Sequence, residues 1–208
     1  MDTESVNDFE QALTTKMGEY GLELPASTIR ELGRYYALLS RWNPRLHLVA
    51  PCGPEEFANR HVLESLVLLR LVSTESSLID VGPGGGLPSI PCLIARPDLT
   101  ATLVESSKKK SVFLQEALNQ LGLTKQGKVV ASSFEDIDSL EAQFITCRAL
   151  DDFMSKVSRL VSWAPTNCKL LLFGGEALRH ELEKLDVSII EYLIPLSQQR
   201  FLFEVKKN

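Results

Sequence analysis

Residues 78–91, Leu78-Ile79-Asp80-Val81-Gly82-Pro83-Gly84-Gly85-Gly86-Leu87-Pro88-Ser89-Ile90-Pro91, decide how the rest of the chain is read. An apolar run ends in Asp80-Val81-Gly82, glycines continue to Gly86, and a helix start is expected at Leu87-Pro88. A strand that runs into a glycine turn and then a helix brings backbone close to a nucleotide-like ligand. About twenty residues later a second apolar run, Thr100 to Val104, ends in Glu105. A carboxylate at the tip of the next parallel strand is placed to accept hydrogen bonds from ribose hydroxyls.

The glycine spacing narrows the ligand. A dinucleotide fingerprint reads G-x-G-x-x-G, whereas here the glycines run Gly82-x-Gly84-x-Gly86 with Asp80 two residues ahead. A pyrophosphate wants the positive end of a helix and is disfavoured by a carboxylate beside it. A ligand with a cationic sulfonium and an amino group is favoured there instead. The pattern points to S-adenosylmethionine rather than a nicotinamide dinucleotide, with Asp80, Gly82, Gly84 and Glu105 as cofactor-binding candidates.

With 208 residues the chain is long enough to bury a full core, and 44% hydrophobic with 24% charged residues is ordinary for a soluble globular protein. No apolar stretch approaches the roughly 18 residues of a membrane helix. The acidic, polar start, MDTESVNDFEQ, is unlike a targeting peptide. Cys52, Cys92, Cys147 and Cys168 are scattered without ligand spacing, so reduced core thiols in a cytoplasmic protein are expected and no metal site is. A net charge of −5 argues against general nucleic-acid binding. It leaves room for a local basic face, for which Arg30, Arg34, Arg41, Arg45 and Lys108-Lys109-Lys110 are candidates.

The first 75 residues read as helical. Thr28-Ile29-Arg30-Glu31 fits a capping box. Ile29, Leu32, Tyr36 and Leu39 share a helical face that Trp42 continues, and Pro44 is expected to end that helix. Pro51-Cys52-Gly53-Pro54 marks a loop, and a long helix is expected over 55–72. Beyond it strands are expected at 77–82, 100–105, 128–132, 143–148, 168–174, 187–194 and 199–205. Helices fit at 87–96, 107–121, 135–141, 151–163 and 176–185. Alternation of this kind implies an α/β fold whose mostly parallel sheet is covered on both faces. The last two strands are joined too directly for a parallel crossover and should form an antiparallel edge hairpin. The expected organisation is an N-terminal helical extension, 1–75, and a Rossmann-like domain, 76–208, in one compact unit.

The glycine motif, Arg60-His61 upstream and Cys147-Arg148-Ala149 downstream resemble the ribosomal RNA small subunit methyltransferase G family, once called glucose-inhibited division protein B. Trp42-Asn43, Val104-Glu105-Ser106 with Lys108 to Leu114, and Phe134-Glu135-Asp136 match as well, in order from about residue 35 to 205. The resemblance implies a seven-stranded S-adenosylmethionine-dependent methyltransferase sheet behind a helical extension. It implies methylation of guanine N7 in a loop of 16S rRNA near the decoding centre, with the rRNA or the small ribosomal subunit as partner and a monomer as the expected state. Carried over by position, Gly82, Gly84 and Leu87 would hold the cofactor, Glu105 its ribose and Phe134-Glu135 its adenine. Arg148 would stand between cofactor and substrate as the catalytic side chain. Arg60, His61 and Arg200 are candidate substrate contacts. Guanine N7 carries a lone pair and no hydrogen, so the reaction needs positioning more than a general base.

This chain also departs from the family pattern. His47-Leu48-Val49 stands where Asn-Leu-Thr is usual, and Glu64 replaces an aspartate in the Arg60-His61 helix motif. Ser133 and Phe173 occupy positions where the family usually has an arginine and a lysine. Lys169 or Arg179 are candidates to supply the missing charge, and Trp42 or Phe153 to stack on the base. The departures keep two alternatives open: a diverged methyltransferase acting on another RNA or a small molecule, and a catalytically silent rRNA-binding module. A nicotinamide-linked reductase is disfavoured by Asp80 and the glycine spacing.

Overall fold

The computed structural model describes residues 3–148 and 153–208. Ala149 and the first two residues of the helix expected from 151 lie outside the described residues. Two N-terminal helices, α1 (Thr3–Lys16) and α2 (Ala26–Leu46), precede a continuous helical segment of changing pitch. That segment runs through α3 (Pro54–Glu56), a π-helical stretch (Phe57–Leu63), α4 (Glu64–Leu66) and a 3-10 turn (Val67–Arg70). Then come β1 (Ser77–Val81), α5 (Ser89–Ala95), β2 (Thr100–Val104), α6 (Lys108–Gln120), β3 (Gly127–Val130) and β4 (Phe144–Cys147). The chain finishes with α7 (Phe153–Trp163), β5 (Lys169–Gly174), α8 (Glu176–Leu182), β6 (Val187–Leu193) and β7 (Phe201–Lys207).

The seven strands form one sheet in the order β3-β2-β1-β4-β5-β7-β6. The first five are parallel, and β7 inserts antiparallel between β5 and β6. The expected hairpin is therefore present, with its first strand at the edge. Both faces of the central strands are buried, which explains their nearly unbroken apolar runs. Leu78, Phe144, Leu171 and Leu202 face a core shared with α1, α2, the 54–70 segment, α5 and α6. Ile79, Ile145, Leu170 and Phe203 face a second core built with α7 and α8. The strand order turns back at β1, so a crevice opens between the carboxyl ends of β1 and β4, the usual ligand position of such sheets.

Several local expectations are corrected. The second helix starts at Ala26 after Pro25, and no side-chain cap forms at Thr28. It continues through Pro44 to Leu46, ending where His47 turns left-handed and donates its N–H to Asn43 O. A proline so near a helix end removes only one backbone bond of the last turn, so the helix tolerates it. The 55–72 helix is not uniform but widens at 57–63, where Glu64 N–H bonds back five residues to Asn59 O. No helix forms over 135–141. A single 3-10 turn, Phe134–Asp136, gives way to extended chain at Ile137, whose carbonyl accepts from Trp163 Nε1. The aspartates and serine of that stretch favour turns over helix interiors.

The buried Tyr35 of α2 donates its hydroxyl to Gly85 O at 2.8 Å, tying the N-terminal helices to the glycine loop. Tyr35→Phe should cost about 1–2 kcal/mol by leaving that carbonyl without its donor. The matching fall in Tm is roughly 2–8 °C, measurable by thermal denaturation.

Candidate active site

At the carboxyl end of β1 the chain makes the turn the glycines require. Gly84 has φ +55°, and Gly86 has φ +90° with Ile90 Cδ1 2.3 Å from where a Cβ would stand. A side chain at Gly86 would both strain the backbone and collide with α5. Glu105, at the tip of β2 and only 4% exposed, fastens the loop from the other side. Its Oε2 accepts from Gly84 N at 3.0 Å and its Oε1 from Ser107 N at 2.8 Å. Each oxygen keeps a further lone pair for another donor.

Beside this loop lies a cleft of about 530 Å³, walled by the His47–Pro51 segment, Gly82 to Gly85, Leu87, Glu105, Ser106, His61, Arg148, Lys110 and Lys156. A smaller hollow adjoins it, lined by Ser132, Ser133 and Phe134, and shares Gly82, Ser106 and Lys156 with the cleft. Phe134 is buried there with its ring edge-on to Trp163 at 5.7 Å. The fold thus gathers Gly82, Gly84, Leu87, Glu105, His61 and Arg148 around the cleft and sets Phe134 in a small hollow of about 20 Å³ beside it.

Other sequence candidates stand elsewhere. Asp80 is fully buried and does not line the cleft. Its Oδ2 accepts from Ser89 N at 3.1 Å and Ser89 Oγ at 2.5 Å, so it caps the start of α5. Its Oδ1 meets no hydrogen-bond partner among the described residues. Burial raises its carboxyl to about 7, against the opposing pull of Ser89. Glu135 is exposed and pairs with Arg159, and Arg60 is exposed and pairs with Glu56 at 3.0 Å. Arg200 and Arg148 both reach Glu64, at 2.7 and 3.3 Å. Lys169 is held by Glu204 and Arg179 by Glu191, so neither supplies a charge to the cleft. Trp42 packs edge-on against Phe113, and Phe153 is buried in the second core.

Arg148 is the most committed side chain of the site. Nη1 donates to His61 O and Ser65 Oγ, both at 2.8 Å, and Nη2 donates to Arg60 O and Glu64 Oε2. Its guanidinium lies 5.7 Å from the Phe173 ring centre, a cation–π contact. The widened turn at 57–63 thus serves as a socket for an arginine from β4, as such irregular turns often do near functional sites. His61 borders the cleft, and burial followed by the charges of Arg148 and Arg60 lowers its imidazole to about 4. At neutral pH it is an uncharged hydrogen-bonding group. Ser106 and His47-Leu48-Val49 belong to motif stretches that carried no site role in the sequence, and nothing local marks Lys156 on α7 as facing a loop after β1.

A family model described as rRNA small subunit methyltransferase G matches residues 28–202. A ribosomal RNA small subunit methyltransferase G from Nitrosomonas europaea is 36% identical over 81% of this chain and 81% of its own. One from Stenotrophomonas maltophilia strain K279a is 43% identical over 67% of this chain and 66% of its own length. Among solved structures, a ribosomal protein L11 methylase from Lactobacillus delbrueckii subsp. bulgaricus superposes with a TM-score of 0.58 at 13% identity. It covers 72% of this chain and 79% of that one, a likeness of fold.

Two outcomes test the site's electrostatics. Glu64 is 3% exposed in its side chain and counters both Arg148 and Arg200. Glu64→Ala should cost about 3 kcal/mol in denaturant unfolding, at the low end for a broken buried pair because Arg200 is partly solvated. Asp80, raised from an ordinary 3.8 to about 7, binds its proton more tightly when folded. Its contribution is fully present below pH 4 and is lost as pH rises through 7. Wild-type stability relative to Asp80→Asn should therefore fall between pH 4 and 7 and flatten above, by about 4 kcal/mol at most. Denaturant melts of both proteins across that range check it.

Proposed function

The chain belongs to the rRNA small subunit methyltransferase G family, and we propose that it methylates N7 of a guanine in 16S rRNA, in a loop near the decoding centre, using S-adenosylmethionine. The observation that carries this reading is the cleft formed by the glycine loop and Glu105, with the Phe134 hollow adjoining it, at the carboxyl ends of β1, β2 and β3. Its donor set suits the cofactor: backbone at a turn, a carboxylate for hydroxyls, an aromatic wall for a purine, and no phosphate cradle.

In this reading Gly82, Gly84 and Leu87 hold the amino-acid end, Glu105 takes the ribose, and Phe134 bounds the adenine, while Glu135 stays outside, paired with Arg159. Asp80 acts one layer below, fixing the turn into α5 through Ser89. When bound, S-adenosylmethionine supplies a methyl group on a cationic sulfur, and the N7 lone pair accepts it with no proton to remove. The chain therefore needs no general base, which agrees with a neutral His61 at the cleft wall. Arg148 acts as a positioning residue: with four donor bonds made to the 60–65 turn, it holds the wall beside the acceptor and adds no second fork over the base. The N-terminal helices, 1–75, serve as an extension to a catalytic domain over 76–208, and the protein works as a cytoplasmic monomer. No helix among the described residues is long and apolar enough to cross a membrane.

Methyl transfer from labelled S-adenosylmethionine to 16S rRNA and to small subunits lacking N7-methylguanosine tests the proposal. Label recovered as N7-methylguanosine in the decoding-region loop is the expected result. Cofactor binding without transfer to either substrate would overturn the assigned substrate.

A further inference from the structure

Among the described residues the cleft holds more positive charge than its proposed cofactor can answer. S-adenosylmethionine carries a sulfonium, an amino group and one carboxylate, a net charge of +1. Facing it are Lys110, Lys156 and Arg148, with Glu105 as the carboxylate of the wall. Arg148 is countered by Glu64, but neither Lys110 nor Lys156 has a carboxylate partner among the described residues. Like charges gathered in a concave site repel a cationic ligand unless an anion joins them. The polyanion of the proposed reaction is the RNA.

Lys156 is the better placed of the two lysines. It lines both the cleft and the Phe134 hollow, beside Gly82 and Ser106, which also border both. Its helix is fixed from behind: Phe153, Val157 and Leu160 of α7 are buried in the second core. Lys156 itself is half-buried and borders the cleft from that helix. Position 173 at the end of β5 offers no cation, because Phe173 is 3% exposed beneath the Arg148 guanidinium.

We propose that Lys156 is a substrate-binding residue, its ammonium contacting an RNA phosphate next to the target nucleotide while leaving the cofactor's own affinity untouched. The assignment rests on the function proposed above. A cation at this point neutralises the incoming backbone where the base must turn toward the cofactor. Set against the cofactor's net positive charge it is repelled, save where it meets the cofactor's carboxylate, and the parallel affinity measurement separates the two.

The test measures binding of unmodified 16S rRNA transcript to wild type, Lys156→Gln and Lys156→Arg over a range of KCl concentrations, with S-adenosylmethionine affinity measured in parallel by calorimetry. One lost phosphate contact on a single strand should lower the slope of log K against log salt by about 0.7. Lys156→Gln should show that decrease and a roughly three- to tenfold weaker RNA affinity near 0.1 M salt, with cofactor affinity within about twofold of wild type. Lys156→Arg should retain the wild-type slope, and all three proteins should melt together. An unchanged slope in Lys156→Gln, or a loss of cofactor affinity instead, overturns the assignment alone. Wild type without salt-dependent RNA binding or methyl transfer overturns the underlying function as well.

Discussion

The Glu64 carboxylate, nearly enclosed between the guanidinium groups of Arg148 and Arg200, is the interaction on which the site depends. These three residues come from the irregular helix before the sheet, the end of β4 and the start of β7. Two cations around one buried anion are expensive to desolvate, and such a cluster persists only where its remaining donors find partners. Arg148 finds them in Arg60 O, His61 O and Ser65 Oγ. The N-terminal helices are thereby joined to the carboxyl edge of the sheet at the place where the cleft opens. Tyr35, reaching Gly85 O from α2, makes a second such joint a short way along.

This arrangement changes what the arginine is for. A free guanidinium at the end of β4 would be a natural fork for a carboxylate or a purine edge. Here its donors are turned to the protein, and its plane is covered on one side by Phe173. The cations left without carboxylate partners among the described cleft residues are lysines on α6 and α7, compact charges on flexible stems suited to phosphates. The cleft therefore sets one carboxylate, Glu105, and the backbone of the glycine loop together with two lysines that no described carboxylate neutralises.

The glycine loop, Glu105 and the alternation of strands and helices were legible because each depends on local rules. A turn with positive φ needs glycine, and a strand buried on both faces needs a continuous apolar run. Asp80 precedes the glycines as a ligand contact would, yet strand geometry turns it beneath the loop to cap α5. Pro44 and the 135–141 segment misled for the opposite reason. Proline is tolerated in a last helical turn, and a stretch with Ile137 and Leu140 at helical spacing packs as well when extended, with Ile137 O held by Trp163.

The sheet, the cofactor-type turn and the carboxylate at the second strand's tip follow from local pattern, because neighbouring residues enforce all three. Which cations are spent and which are available depends on the packed fold. Arg60, Arg148, Arg159, Lys169, Arg179 and Arg200 each find a carboxylate far from or near them in the chain. Lys156 becomes a cleft residue only when α7 packs into the second core against α8 and the Phe134–Asp136 turn. Charge pairing across 84 or 136 positions is set by how helices stack on a sheet, and no local pattern carries it.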